Sequence, residues 1–143
     1  SGDRFKIIDN YDLINYRSTQ SGQWYAESLA VEQQMTSAIH YVTAEDLPTV
    51  YLITGHLEDG LPYDLKKQME LENYEIKELS LLTEEKVPED ADIIMFIAPK
   101  RDMTEDEAEK VRQYLEKQGR AIFFMEIVEN ELPNFESVLR AME

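Results

Sequence analysis

The chain has 143 residues, the usual size for one core, and 43% of them are apolar. With 14 Lys and Arg against 30 Asp and Glu, its formal charge of −16 repels nucleic-acid backbones and anionic lipid surfaces, so nucleic acid is not expected as a partner. It contains no cysteine, which excludes disulfides, thiolate metal sites and thiol nucleophiles.

The N-terminal "RFKIIDNYDLINYR" can form one or two short strands at a sheet edge, and "STQSGQWYAES" reads as a loop in which the aromatics near Gln23 to Tyr25 are candidates either for protein contact or for covering the sheet edge. Next, "SLAVEQQMTSAIHYV" places Val31, Met35, Ala38, Ile39 and Val42 on one helical face, which predicts a helix packed on a sheet. His40 falls on its polar face with Gln33, Thr36 and Ser37. Strands are expected at Val50 to Thr54, Tyr74 to Leu81, Asp92 to Ala98 and Ala121 to Ile127. Three of these are apolar on both alternating faces, as strands between helix layers must be, whereas "YEIKELSL" alternates as a strand nearer an edge.

Helical patterns lie between the strands. Leu61, Leu65 and Met69 recur every four residues, and Asn73 suits a left-handed closing residue. The segment "LTEEKVPEDA" carries Pro88 and little periodicity, and reads as a degenerate crossover of about one helical turn. "MTEDEAEKVRQYLEKQG" has a capping box in Thr104 and Glu107, a staple from Met103 to Ala108, an apolar stripe through Val111 and Leu115, and Gly119 as its stop. "LPNFESVLRAME" puts Phe135, Val138, Leu139 and Met142 on one face behind Pro133, again predicting packing on the sheet. This alternation predicts an α/β fold: three layers around a mostly parallel sheet, flavodoxin-like or class I glutamine amidotransferase-like. A single domain over 1–143 is expected, with 1–26 an N-terminal strand and loop and 27–143 the core.

Ligands of such sheets bind beyond the strand carboxyl ends, so the loops after Thr54, Leu81, Ala98 and Ile127 are the places to test. The loop "TGHLEDG" has one Gly after Thr54 and then Glu58 and Asp59, with Asp64 a turn later, and those acids repel a phosphate. The third strand ends "IAPK", without the aspartate of a phosphorylated receiver. An acyl-transfer elbow needs a nucleophile beside a histidine; there is no Cys, and Ser80 is the only serine at a strand end. A metal reading would use His56, Glu58 and Asp59, three donors from one loop without a distant partner. The simpler alternative is that Gly55 permits a tight turn while His56 hydrogen-bonds a strand-end carbonyl or Glu58. The acid runs "EKVPEDAD" and "MTEDEAE" lack the spacing of a calcium loop. No catalytic residue, metal ligand or cofactor is therefore assigned. The remaining candidates, for ligand or partner binding, are Thr54, Gly55, His56, Glu58, Pro99 and Lys100.

The elements "EQQMTSAIHYVT", "VYLITGHLE", "LENYEIKELSLL", "VPEDADIIMFIAPKRDMTEDEAEKVRQYLEKQGRAIFFM" and "LPNFESVLRAM", in that order, resemble the auxiliary component of uncharacterised ABC-type transport systems, the gliding-motility GldG-like family. The resemblance runs from about Glu32 onward, and Gly55, His56, Glu58, Pro99 and Lys100 fall in its motifs. It implies a class I amidotransferase-like fold on the extracytoplasmic side of the cell membrane. It also implies a membrane-anchored full-length protein associated with ABC transporter permease and ATPase subunits. The opening Ser1-Gly2 without an initiator Met fits a piece excised from such a protein. The resulting expectation is a non-enzymatic binding or interaction domain for a transporter partner or an unknown ligand. The alternatives are a metal-dependent hydrolase using His56 with Glu58, Asp59 or Glu126, and a structural spacer.

Overall fold

The structure is a computed structural model that describes residues 4–9, 13–126 and 131–142. It falls into two compact units, Ser1–Leu47 with Lys67–Tyr74, and Pro48–Lys66 with Glu75–Glu143.

In the first unit, β1 (Ile14–Ser18) pairs antiparallel with β2 (Trp24–Leu29). The expected loop "STQSGQWYAES" is thus half strand. Its turn is confined to 19–23, where Gly22 takes φ +82° and Thr19 exchanges backbone bonds with Gly22 and Gln23. These strands form their own two-stranded sheet instead of edging the larger one. Part of the expected N-terminal strand, residues 10–12, lies outside the described residues.

Helix α1 (Val31–Thr43) follows where its periodicity predicts, but with its faces reversed. Gln34 and Ser37 are buried, whereas Val31, Met35, Ile39 and Val42 are exposed, so the expected burial of the apolar face is not observed. The buried side is held by hydrogen bonds. Ser37 donates its hydroxyl to the Leu71 carbonyl (2.5 Å), and Asn73 Nδ2 donates to the Ser37 carbonyl (3.1 Å) and lies 3.2 Å from His40 Nδ1. Asn73 is the left-handed residue (φ +62°) closing α2 (Tyr63–Leu71), as the sequence predicts, and it is also the polar hub for α1.

The second unit contains a four-stranded, all-parallel sheet in the order β4-β3-β5-β6, formed by β3 (Thr49–Thr54), β4 (Glu75–Ser80), β5 (Ile93–Ile97) and β6 (Ala121–Phe124). With four helices among the described residues, the α/β class is borne out. The alternating strand β4 is at an edge, as expected. The other edge, β6, ends at Phe124 and is half exposed instead of buried on both faces; Ile127 lies outside the described residues. The crossover 81–92 contains turns and no helix, and it is fastened by its acids: Asp92 accepts the Thr49 N–H (2.7 Å), and Asp90 accepts the Tyr51 hydroxyl (3.0 Å).

Helices α3 (Glu105–Glu116) and α4 (Pro133–Ala141) contribute Ala108, Val111, Phe135 and Val138, all fully buried, to a core with Ile53, Ile94 and Phe96. The capping box of Thr104 and Glu107 is formed, and Met103 is buried in the same core as Ala108. The stop differs from expectation: Gln118 takes the left-handed turn (φ +67°), and Gly119 is needed because a Cβ there would lie 2.5 Å from the Tyr114 ring and carbonyl. Helix α4 has no cap in its own sequence. Asp102, from the loop after β5, accepts the N–H groups of Asn134 (3.0 Å) and Phe135 (3.1 Å) in its place.

Candidate functional site

The carboxyl ends of β3 and β5 lie side by side, and the loops leaving them are joined. The His56 carbonyl accepts the N–H groups of Lys100 (2.9 Å) and Arg101 (3.0 Å), and the Asp59 N–H returns to the Ile97 carbonyl (3.1 Å). The Arg101 guanidinium donates to the Gly55 carbonyl, and Lys100 Nζ pairs with Asp59 at 2.5 Å. Turning so tightly needs left-handed backbone at Gly55 (φ +113°), Leu57 (φ +59°) and Ala98 (φ +46°). The last two are non-glycine residues in a sparsely populated region, held there by the bonds around them.

His56 itself is buried, 1% exposed, against Phe135 (ring centroids 5.6 Å, edge-on) and Phe96 (6.5 Å). Its Nδ1 is 2.6 Å from Glu58 Oε1, and its Nε2 is 3.1 Å from Glu107 Oε1. The remaining carboxylate oxygens are also satisfied: Glu58 Oε2 accepts the His56 N–H (2.8 Å), and Glu107 Oε2 accepts the Thr104 N–H (2.8 Å) and hydroxyl (3.0 Å). Burial works against a charged ring, but the Glu58 hydrogen bond and the field of Glu107 outweigh it, so the imidazole pKa is raised above its ordinary 6.5. Burial likewise opposes ionisation of Glu58, and the hydrogen bonds from the His56 ring and backbone overcome it, holding its pKa below 4.5. The result is a buried imidazole ring between two acidic side chains, whose protonated form the surroundings favour, with Thr104 at the α3 N-terminus and the His56 N–H bonded to the acids.

All six sequence candidates reach this corner. Thr54 donates to the Leu79 carbonyl (3.4 Å), Gly55 turns the chain, His56 and Glu58 form the buried pair, Pro99 is buried, and Lys100 binds Asp59. The simple alternative of a His56–Glu58 hydrogen bond is realised. The sequence reading missed Glu107, which its capping-box signature had fully accounted for, and Ala98, which occupies the strained strand-end bend where an acyl-transfer enzyme would carry its nucleophile. Here that position presents a buried methyl group. Both ring nitrogens of His56 face carboxyl groups. Among the described residues no group of three or more His, Asp or Glu side chains is arranged to hold a metal. No described helix is long and apolar enough to cross a membrane.

Residues 47–142 match the family described as ABC-type uncharacterized transport system. The match begins after the α1 segment that the sequence resemblance had included, and it takes in the "PEDAD" acids that fasten the crossover and the whole corner around His56. No curated protein and no solved structure matches the chain. The chain therefore belongs to the ABC-type uncharacterized transport system family, whose members are auxiliary components of such transport systems.

Proposed function

We propose that the chain is a non-enzymatic, extracytoplasmic interaction domain of a GldG-like auxiliary subunit, held at the cell membrane by segments of a longer protein. In this reading it meets the permease and ATPase assembly, or a ligand, through the loops after β3 and β5. One observation carries it: the strand-end corner, where this class of fold performs chemistry, is filled by the closed His56–Glu58–Glu107 network with a methyl group at the bend. Such a network fixes loop shape at the cost of reactivity, as suits a surface that recognises.

Two measurements test this on the full-length protein in its own membrane. Affinity purification is expected to bring down the ABC permease and ATPase subunits; their absence under mild detergent would refute the association. The domain has no cysteine, so a Lys117→Cys variant provides an exposed thiol. Labelling by a membrane-impermeant maleimide in intact cells is expected, and labelling only after lysis would place the domain on the other side.

A further inference from the structure

One ring joins three side chains at the corner: His56 Nδ1 lies 2.6 Å from Glu58 Oε1, and Nε2 lies 3.1 Å from Glu107 Oε1. Each contact is a hydrogen bond only when a proton lies between its nitrogen and its oxygen. The triad therefore closes with two protons, however they are divided between the ring and the acids. A neutral imidazole between two carboxylates has only one. A ring lone pair would then face a carboxylate oxygen in a place where His56 and Glu107 are each 1% exposed. The other groups around the ring offer no relief. Strand β5 and helix α4 present the Phe96 and Phe135 rings. The loop after β5 brings two cations, but the Arg101 guanidinium is bonded to the Gly55 carbonyl and Lys100 to Asp59, while Asp102 is bonded to the N–H groups that open α4.

Which contact fails follows from the second oxygen of each acid. Glu58 Oε2 accepts the His56 N–H (2.8 Å) within the same turn, so Glu58 stays with the ring. Glu107 Oε2 accepts the Thr104 N–H and hydroxyl, so Glu107 stays with its helix cap. Loss of one proton thus leaves Nδ1–H on Glu58 and parts Nε2 from Glu107. The backbone around the ring favours release. Leu57 (φ +59°) and Ala98 (φ +46°) are left-handed without being glycine, and the bonds that hold them run from Lys100 and Arg101 to the His56 carbonyl and from Asp59 to the Ile97 carbonyl. We propose that the Glu58–His56–Glu107 triad is a proton-operated latch: with two protons it clamps the loop 55–60 to α3 and to the loop after β5, and release of one proton to solvent frees that loop while the sheet and the α3 cap stay intact. The surroundings favour the protonated ring, so the latch is closed below the ring's midpoint and opens above it. The latch goes beyond the partner-binding reading above and does not rest on it.

The test is amide hydrogen exchange by NMR on the 143-residue protein, with each rate divided by its intrinsic pH dependence and the His56 ring signals followed in the same samples. As pH rises through the ring's midpoint, the Lys100, Arg101 and Asp59 N–H groups are expected to lose about tenfold in protection. The Ile94 N–H, bonded to the Arg120 carbonyl within the sheet, is expected to keep its own. Glu107→Gln supplies a network that needs no charge: its amide oxygen serves the capping box, and its NH₂ donates to Nε2 of the neutral ring. In that variant the loop is expected to stay closed at high pH. Glu58→Gln does the same at Nδ1 should the first variant fail to fold. Loop protection unchanged through the midpoint, a loss shared equally by Ile94, or a loss that persists in the folded Gln variant would each overturn the latch. So would a ring that keeps one protonation state until the whole protein unfolds.

Discussion

Helix α3 buries Ala108 and Val111 and, apart from the buried Glu107, keeps its charges on its outer side, whereas helix α1 buries Gln34 and Ser37 and leaves Met35 and Ile39 in solvent. Both sequences are amphipathic, so the pattern alone does not say which stripe is covered. The difference lies at the ends. Helix α3 is pinned by a capping box, a staple and the Glu107–His56 bond, each of which fixes its rotation. Helix α1 has Ala30 at its N-cap, which offers no side-chain hydrogen bond, and its orientation follows the hydrogen bonds of Ser37 and Asn73. Directional polar contacts outrank apolar periodicity when they meet at a helix of this length.

The largest test of that contrast is Glu107→Ala, which removes the capping box and leaves the buried His56 Nε2 without its partner. A loss of about 3–5 kcal/mol is expected in urea unfolding; a loss below 1 kcal/mol would show that α3 does not depend on its ionic anchor. The pH dependence comes next. The raised His56 pKa gives stability fully present below pH 6.5 and lost as pH rises through the folded value. The lowered Glu58 pKa gives stability present above pH 4.5 and lost as pH falls through its folded value. The two overlap between pH 4.5 and 6.5, where the network is expected to contribute most, and an NMR titration of the His56 ring checks it. A midpoint below 6.5 would remove the imidazolium from the account.

Smaller effects separate the helices further. Gly119→Ala forces a methyl group into Tyr114 and is expected to cost about 1–3 kcal/mol, while Gly60→Ala, with nothing within 4 Å of the new Cβ, is expected to be near neutral. On α1, Ser37→Ala is expected to cost about 1 kcal/mol through its lost buried hydrogen bond. Met35→Ser with Ile39→Ser should stay within about 0.5 kcal/mol. A larger loss from that last pair would mean the exposed stripe is covered in solution, and the contrast with α3 would collapse.

Local signals in the sequence were sufficient where one residue type serves one geometry. Asn73 closes α2, Thr104 and Glu107 open α3, and alternating "YEIKELSL" lies at a sheet edge. The corner was legible as a place, because Gly55 and His56 follow a strand end, but not as a network. Glu107 is 51 residues from His56, and nothing in the spacing reveals that a capping carboxylate has a second oxygen free to meet a ring. Asp102 escaped notice for the same reason, since it caps a helix that begins far along the chain. The β2 strand was hidden by its Ser, Gly and Gln neighbours, whose turn chemistry extends over fewer residues than their composition suggests.

The strand order has a consequence for how the chain assembles. Strand β3 emerges first of the four yet occupies an inner position, so both its hydrogen-bonding edges wait for segments made later: Val50 pairs with Ile76 on one side and Ile93 on the other. No two strands of this sheet can zip through a short hairpin, and the closing entropy of each intervening loop must be met before any ladder forms. A ribosome-stalled chain ending before Ile93 would therefore expose an unpaired, apolar strand edge, the state in which this domain is most prone to aggregate.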